Sequence, residues 1–410
     1  MRIIWIGFVV PEDLSAKLAA LDRYITSQTQ VFQSRVIRSL EHDSQHQVTI
    51  VASPPATDYS AVRVTGLRRW KHREQAGNDL VVPMINVIGL KQLTVFAGCF
   101  LGAIARGLRA SSEPTVVVVG DCYFPHLLAA AATSLLLRVP ATGFITDMPG
   151  LLAVADPWYK RWLRPLDAAV VRGLLRRMNG LVVLSEHIAR DFFPTTRYLV
   201  MPGIAEKSRD RRSDQRNGDE TNPELIIMYS GALMAEYGVG LLVEAFGKLA
   251  LPSARLWITG RGDFEPAVVA AAKHDPRITF FGFLSTTELQ EKIARATLLV
   301  SLRLSHQGHA RYSFPSKLLE YMTTDSFVVT NRFPSLPADY ENHLIVLENE
   351  SSTALADIFR GVAAGRFGAQ RDFAQRMQGF IAARASLPAE GRRLATFLSG
   401  SNVASPPRAI

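Results

Sequence analysis

Four consecutive valines, Val116-Val117-Val118-Val119, constrain this chain more than any other feature. A strand with one wet face alternates apolar and polar residues. A run without alternation is buried on both faces, as in a parallel sheet covered by helices. Short runs of the same kind recur at Arg2–Ile6, Gln47–Val51, Val81–Ile88, Thr115–Val119, Ala141–Ile145, Leu181–Leu184 and Tyr198–Met201. Helical patterns lie between them, as at Val31–Leu40, Gln92–Leu108 and His126–Leu137. This alternation predicts a doubly wound α/β domain.

Residues 205–223 break the pattern. They are almost wholly polar, cannot build a core and read as a surface linker. The alternation then restarts with strands at Leu225–Ser230, Arg255–Thr259, Ile278–Phe281, Leu298–Leu302 and Phe327–Thr330. Helices are expected at Val239–Leu249, Glu265–Lys273, Thr287–Arg295 and Ser316–Thr323. A length of 410 residues suits two such domains. We place the first at 1–204 and the second at 224–380. A C-terminal helix and tail at 381–410 could pack back on the first, and the tail beyond Gly400 reads as frayed. The interface of two α/β halves is the default ligand site.

Composition narrows the function. Apolar residues make up 48% and charged residues 20%, which excludes a wholly disordered chain. Two cysteines, Cys99 and Cys122, exclude a disulfide scaffold and a four-cysteine zinc module, and fit a reducing compartment. The net charge is +9, of which residues 1–203, with 22 basic and 15 acidic side chains, carry +7. An anionic surface or ligand is therefore expected on the first half. No apolar run reaches the ~18 residues of a membrane span, and the first residues read as a strand rather than a signal peptide. The expected location is cytoplasmic.

The segment Arg311-Tyr312-Ser313-Phe314-Pro315-Ser316-Lys317-Leu318-Leu319-Glu320-Tyr321-Met322 follows a predicted strand and opens a helix. Pro315 suits a first helical turn. Free N–H groups there can hold a phosphate. A cation such as Lys317 is unfavourable in a first turn unless an anion sits beside it. Glu320, three residues on, shares its face and could accept bonds from a ribose. Three loops end the preceding strands: Tyr229-Ser230-Gly231-Ala232, Thr259-Gly260-Arg261-Gly262-Asp263 and Phe281-Gly282-Phe283. Glycine at such strand ends lets a ligand approach the backbone. None carries the full dinucleotide fingerprint, which argues against a dehydrogenase.

Taken in order, these loops, the run Gly238-Val239-Gly240-Leu241-Leu242-Val243-Glu244-Ala245-Phe246 and the Phe314–Met322 segment resemble the retaining GT-B glycosyltransferases of family 4, the group-1 type, in a bacterial polysaccharide-assembly subgroup. The resemblance covers nearly the whole chain. It implies two Rossmann-like domains facing across a cleft, an acceptor domain first and a nucleotide-sugar domain second. The implied activity is metal-independent, configuration-retaining transfer from a nucleotide-diphospho sugar to a saccharide acceptor of the lipid-linked kind. No cofactor is implied, and no Asp-x-Asp pair is present to hold a metal. Gly231, Gly260, Arg261, Phe283, Arg311, Tyr312, Ser313, Phe314, Pro315, Ser316, Lys317 and Glu320 would bind the donor, with Phe283 near the base. His126 and Asp147 would be catalytic on the acceptor side, with Asp121 nearby.

The chain departs from the family at Tyr312, where a glutamate is usual, and at Ala232 and Tyr237, where an arginine and a lysine usually face the diphosphate. Arg303, His306, His309, Arg311 and Arg261 are the cations that could replace them. Residues 157–177 carry six cations against one acid, with Trp158 and Trp162, and fit an anionic membrane surface. No nucleic-acid module is recognisable. A non-catalytic paralogue acting as scaffold in a glycan-assembly complex is the alternative that the three departures suggest.

Overall fold

The structure is a computed structural model. It describes residues 1–22, 27–42, 46–57, 60–74, 78–87, 89–108, 113–146, 158–206, 224–305 and 308–400, with backbone alone at 27, 158–164 and 308–309. The linker beyond residue 206 and the tail beyond 400 lie outside the described residues. The chain divides into unit 1, Met1–Ile204 with Leu387–Ile410, and unit 2, Ala205–Ser386.

Unit 1 contains β1 (Arg2–Gly7), β2 (Gln47–Ala52), β3 (Val64–Thr65), β4 (Arg68–Trp70), β5 (Asp79–Val81), β6 (Met84–Ile85), β7 (Thr115–Val119), β8 (Ala141–Ile145), β9 (Gly180–Val183) and β10 (Tyr198–Val200). Eight of them form one sheet in the order β10-β9-β8-β7-β1-β2-β5-β4. Its pairs are parallel except β4 with β5. The four valines of β7 sit in its middle and are buried. The single strand expected at Val81–Ile88 is two: β5 stops at Val81, and β6 pairs antiparallel with β3. Pro83, between them, has no N–H to give a ladder.

The helix Leu387–Leu398 belongs to unit 1 and packs on the helix Ser27–Glu41. A side chain at Gly391 would strike the Ser39 carbonyl, so the glycine sets the approach of the two helices. Arg197 lies over Phe397 at 4.2 Å and donates to its carbonyl at 2.6 Å. Glu390 is fully buried and paired with Arg393 at 2.6 Å.

Unit 2 contains β11 (Ile226–Ser230), β12 (Arg255–Thr259), β13 (Ile278–Phe280), β14 (Leu298–Val300), β15 (Phe327–Asn331) and β16 (Ile345–Leu347). They form one parallel sheet in the order β13-β12-β11-β14-β15-β16. The helices Val239–Gly247, Glu265–His274, Thr286–Arg295 and Ser316–Tyr321 follow the sequence pattern within a few residues. The two sheets share one topological feature. Strand order reverses once in each, between β1 and β7 in unit 1 and between β11 and β14 in unit 2. The crevice outside the carboxyl ends of such strands is where open α/β sheets bind ligands.

Candidate functional site

At the unit 2 switch point the strand-end loops are tied together through backbone. Gly231 N–H donates to Thr259 O at 3.1 Å, Leu233 N–H to Arg261 O at 2.8 Å and Gly260 N–H to Gly282 O at 2.9 Å. Gly260 has φ of 142°, and a Cβ there would land on the Gly231 carbonyl oxygen. Only glycine allows this conformation and this approach. The result is a bare backbone rim beyond β11, β12 and β13.

Lys317 reaches that rim from the helix Ser316–Tyr321. Its Nζ donates to Ser230 Oγ at 3.1 Å, at the end of β11. Tyr321, buried one turn further on, accepts the Ser230 N–H at 3.0 Å, and its hydroxyl lies 3.0 Å from Ser230 Oγ. Burial pushes the Tyr321 hydroxyl up to about 12. Burial also pushes the Lys317 ammonium below its ordinary value, and Glu320 offsets only part of this. Among the described residues no carboxylate lies within ion-pair distance of Lys317. A half-buried ammonium bonded to a hydroxyl alone is an electrostatic debt that an anion would settle.

Arg303 stands beyond the end of β14. Asn331, the last residue of β15, holds its backbone from both sides: Arg303 N–H donates to Asn331 Oδ1 at 2.7 Å, and Asn331 Nδ2 donates to Arg303 O at 2.6 Å. Glu350 accepts from Asn331 Nδ2 at 2.5 Å and from Ser305 N–H at 2.9 Å. The Arg303 guanidinium donates to Ser313 Oγ at 3.0 Å and lies 4.8 Å from the centre of the Tyr237 ring. Ser335 Oγ donates to the carbonyls of Ala310 at 2.8 Å and Ser313 at 2.6 Å, which pins the loop leading to Lys317.

The structure therefore brings Gly231, Gly260, Ser313, Lys317 and Arg303 to one end of one sheet. Glu320 is half-buried, one turn beyond Lys317. Arg261 and Phe283 are exposed on the neighbouring loops, the guanidinium 4.5 Å over a ring that is 68% accessible. Arg311 and Ser316 are exposed, and Tyr312 and Pro315 are half-buried. Phe314 is turned inward against Phe333 at 6.2 Å and Tyr340 at 5.7 Å. Its ring anchors the loop and is not presented to a ligand. The helix after Pro315 has only six residues. Its dipole is correspondingly small, so the cations matter more than the helix tip that the sequence emphasised. Asp147 and His306 lie outside the described residues, as does the side chain of His309. Sequence reasoning missed Asn331, Glu350 and Ser335. The one available signal was polar Thr330-Asn331 at the end of an apolar strand.

The unit 1 switch point is built differently. Gln33, from the helix Ser27–Glu41, accepts from Phe8 N–H at 3.0 Å and Trp5 Nε1 at 3.2 Å, and donates to Gly120 O at 3.1 Å and Asp121 Oδ2 at 3.2 Å. Side chains at Gly7 or Gly120 would run into it. One amide thus fills the crevice between β1 and β7. Asp121 passes the network to His126 Nδ1 at 3.0 Å, and His126 Nε2 lies 2.8 Å from Ser53 Oγ. The His126 ring is wholly buried between Phe8 at 4.7 Å and Tyr123 at 5.1 Å. Burial pulls its pKa down, but the Asp121 carboxylate outweighs this and raises it to about 10. His126 is thus held by Asp121 on one ring nitrogen and by Ser53 on the other, and ties the loop after β2 to the loop after β7.

The fold defines the class: the chain has the GT-B architecture of glycosyltransferases. It aligns over 98% of its length with all of HepE from Anabaena, solved with UDP, at 14% identity and a TM-score of 0.63. It aligns over 98% of its length with 99% of sucrose-phosphate synthase from Thermosynechococcus elongatus, at 15% identity and a TM-score of 0.62. The lipopolysaccharide outer core galactosyltransferase WaaB aligns over all of its length with 98% of this chain, at 14% identity and a TM-score of 0.60. Residues 224–363, most of unit 2, match the family model described as glycosyl transferases group 1, so unit 2 carries a glycosyltransferase domain. No curated protein matches the sequence.

Proposed function

We propose that the chain transfers a sugar from a nucleotide-diphospho donor to a saccharide acceptor, with retention of configuration and without a metal. The observation that carries this reading is the half-buried Lys317 ammonium, held by Ser230 at a glycine-lined switch point and lacking a carboxylate partner among the described residues. A diphosphate supplies the missing charge. Glu320, one turn deeper, is placed to accept from the ribose. During transfer, negative charge grows on the leaving diphosphate, and fixed cations in a partly dry site stabilise it most at that moment. HepE, solved with UDP, with UDP-glucose, and with UDP and glucose, supports a sugar nucleotide as the ligand class.

Unit 1 is the acceptor-binding unit in this reading, with Asp147 as a catalytic candidate. The acceptor is lipid-linked, the pathway builds a surface polysaccharide, and unit 1 rests on the inner face of the membrane. Among the described residues no helix is long and apolar enough to cross a membrane. Every large exposed apolar side chain among them except Phe283 lies in unit 1, however. The helix Leu90–Gly107 shows Leu90, Leu93 and Leu101 outward, and the helix Trp158–Leu175 shows Leu166 and Val170. These faces, on the basic half of the chain, suit a headgroup layer. Thermal unfolding with UDP, GDP and ADP and then with their sugars tests the donor reading. One base should raise the melting temperature with concentration, and no shift with any of them would reject it. Hydrolysis or transfer of the bound sugar nucleotide separates an enzyme from a scaffold that only binds.

A further inference from the structure

We propose that Arg303, mounted on Tyr237, is the group that recognises the second phosphate of the nucleotide; this rests on the donor reading above. Four observations meet at this residue. It stands at the carboxyl end of β14, across the switch point from Ser230 and Gly231 at the end of β11. Its backbone is locked by Asn331 and, through Ser305, by Glu350, so the guanidinium projects from a fixed base. Its guanidinium stacks on Tyr237 at 4.8 Å and bonds Ser313 at 3.0 Å, while its Nε is buried with no hydrogen-bond partner. No carboxylate among the described residues lies within ion-pair distance of it.

An arginine fork in this state has donors left over. Structural arginines of the same unit do not: Arg277 is spent on Asp275 at 2.7 Å and on the Leu249 carbonyl at 2.7 Å. A planar fork backed by an aromatic ring and short of an acceptor matches a phosphate oxygen pair. Ser313 Oγ fixes one edge and Tyr237 one face. Lys317 stands on the other wall of the crevice, where it meets Ser230 Oγ. Two cations, one on the loop after β14 and one on the helix Ser316–Tyr321, suit two phosphates. The tyrosine at 237 thereby gains a purpose: a lysine there would repel Arg303, whereas a ring supports it.

The test is calorimetry on the full chain with UDP, GDP and ADP and the matching monophosphates. For the base that wild type prefers, Arg303→Gln should weaken the diphosphate about tenfold to hundredfold. The monophosphate should change by less than about threefold. Arg303→Lys, which keeps the charge but not the fork, should fall between. If Arg303→Gln does not fold, Arg303→Lys decides by the same diphosphate-to-monophosphate comparison. Equal losses for both nucleotides, or no loss for the diphosphate, overturn the assignment of Arg303 while leaving the donor reading intact. A wild type that binds none of the six nucleotides overturns both.

Discussion

The two switch points of this molecule have the same topology and opposite contents. In unit 1, Gln33 spans the crevice between β1 and β7 and satisfies Phe8, Trp5, Gly120 and Asp121 from within the protein. In unit 2 Tyr321 and Lys317 bond Ser230 at the end of β11, and among the described residues no side chain ties the strand-end loops of the crevice together as Gln33 does. Gly231 and Gly260 leave backbone there, and Lys317 and Arg303 point to it with unmet charge. A doubly wound sheet creates a place for a ligand, but the residues at the strand ends decide whether the protein fills it itself. In the function proposed above, that difference divides the labour of the chain, with nucleotide binding in unit 2 and a self-sealed, basic and apolar surface in unit 1.

The largest effect should come from closing the unit 2 rim. Gly260→Ala forces a Cβ onto a backbone carbonyl at positive φ, and should cost unit 2 about 2–4 kcal/mol in denaturant unfolding. Gly7→Ala meets only the end of the Gln33 side chain and the Trp5 ring edge. It should cost clearly less, because a side chain can move. Similar losses at both positions would break the contrast between a rigid backbone rim and a movable plug.

Lys317→Ala comes next. Removing a cation that faces a leaving diphosphate should lower kcat/KM about 100-fold or more. Stability should hold or rise slightly, because burial already depresses the Lys317 ammonium and its charge is a cost to the empty protein. Steady-state kinetics beside a melting curve checks both halves. A variant that loses stability in step with activity would make Lys317 structural.

Opening the other crevice should have a smaller effect of a different kind. Gln33→Ala leaves the Phe8 N–H and the Gly120 carbonyl without their partner and should cost about 1–3 kcal/mol. Nucleotide affinity, measured by titration, should not change. A nucleotide that bound Gln33→Ala more tightly than wild type would mean that the plug guards a second site.

The smallest expected effect is one of pH. His126 is raised to about 10 by Asp121 against the opposing pull of burial, and His72, between Asp79 at 2.8 Å and Glu41 at 3.0 Å, is raised to about 9 in the same way. Both folded values exceed that of a free histidine, so their stabilisation is complete below about 6.5 and is lost as pH rises through 9 and 10. Lys317 has the opposite sign. Its folded value is depressed, so unit 2 gains stability as pH climbs above that value toward the ordinary lysine range. Thermal unfolding between pH 7 and 10 should show unit 1 weakening first, and His126→Gln should flatten that slope.

Much of this was legible in the residues, for reasons that differ by region. Val116–Val119 could only be a doubly buried strand, and the strand-end glycines announced their loops by local composition. Lys317 was legible because a cation in a first helical turn breaks a local rule. Gln33 was not. It is one polar residue on an amphipathic helix, and its meaning depends on Phe8, 25 positions before it, and Gly120, 87 after it. His126 was found for its residue type, but its contact with Ser53, 73 positions before it, appears only in the fold. Pro83 could have warned that Val81–Ile88 is not one strand. Asn331 and Glu350 show their function only when β15 lies beside β14.

Amide hydrogen exchange, with and without the nucleoside diphosphate that stabilises the protein most, tests the division between the switch points directly. Exchange should slow at Gly231–Leu233, Gly260–Gly262 and Leu302–Ser305, with the amides of Gly7–Val10 and Gly120–Tyr123 unchanged. Protection at the Gln33 crevice instead, or at neither crevice, would contradict that division.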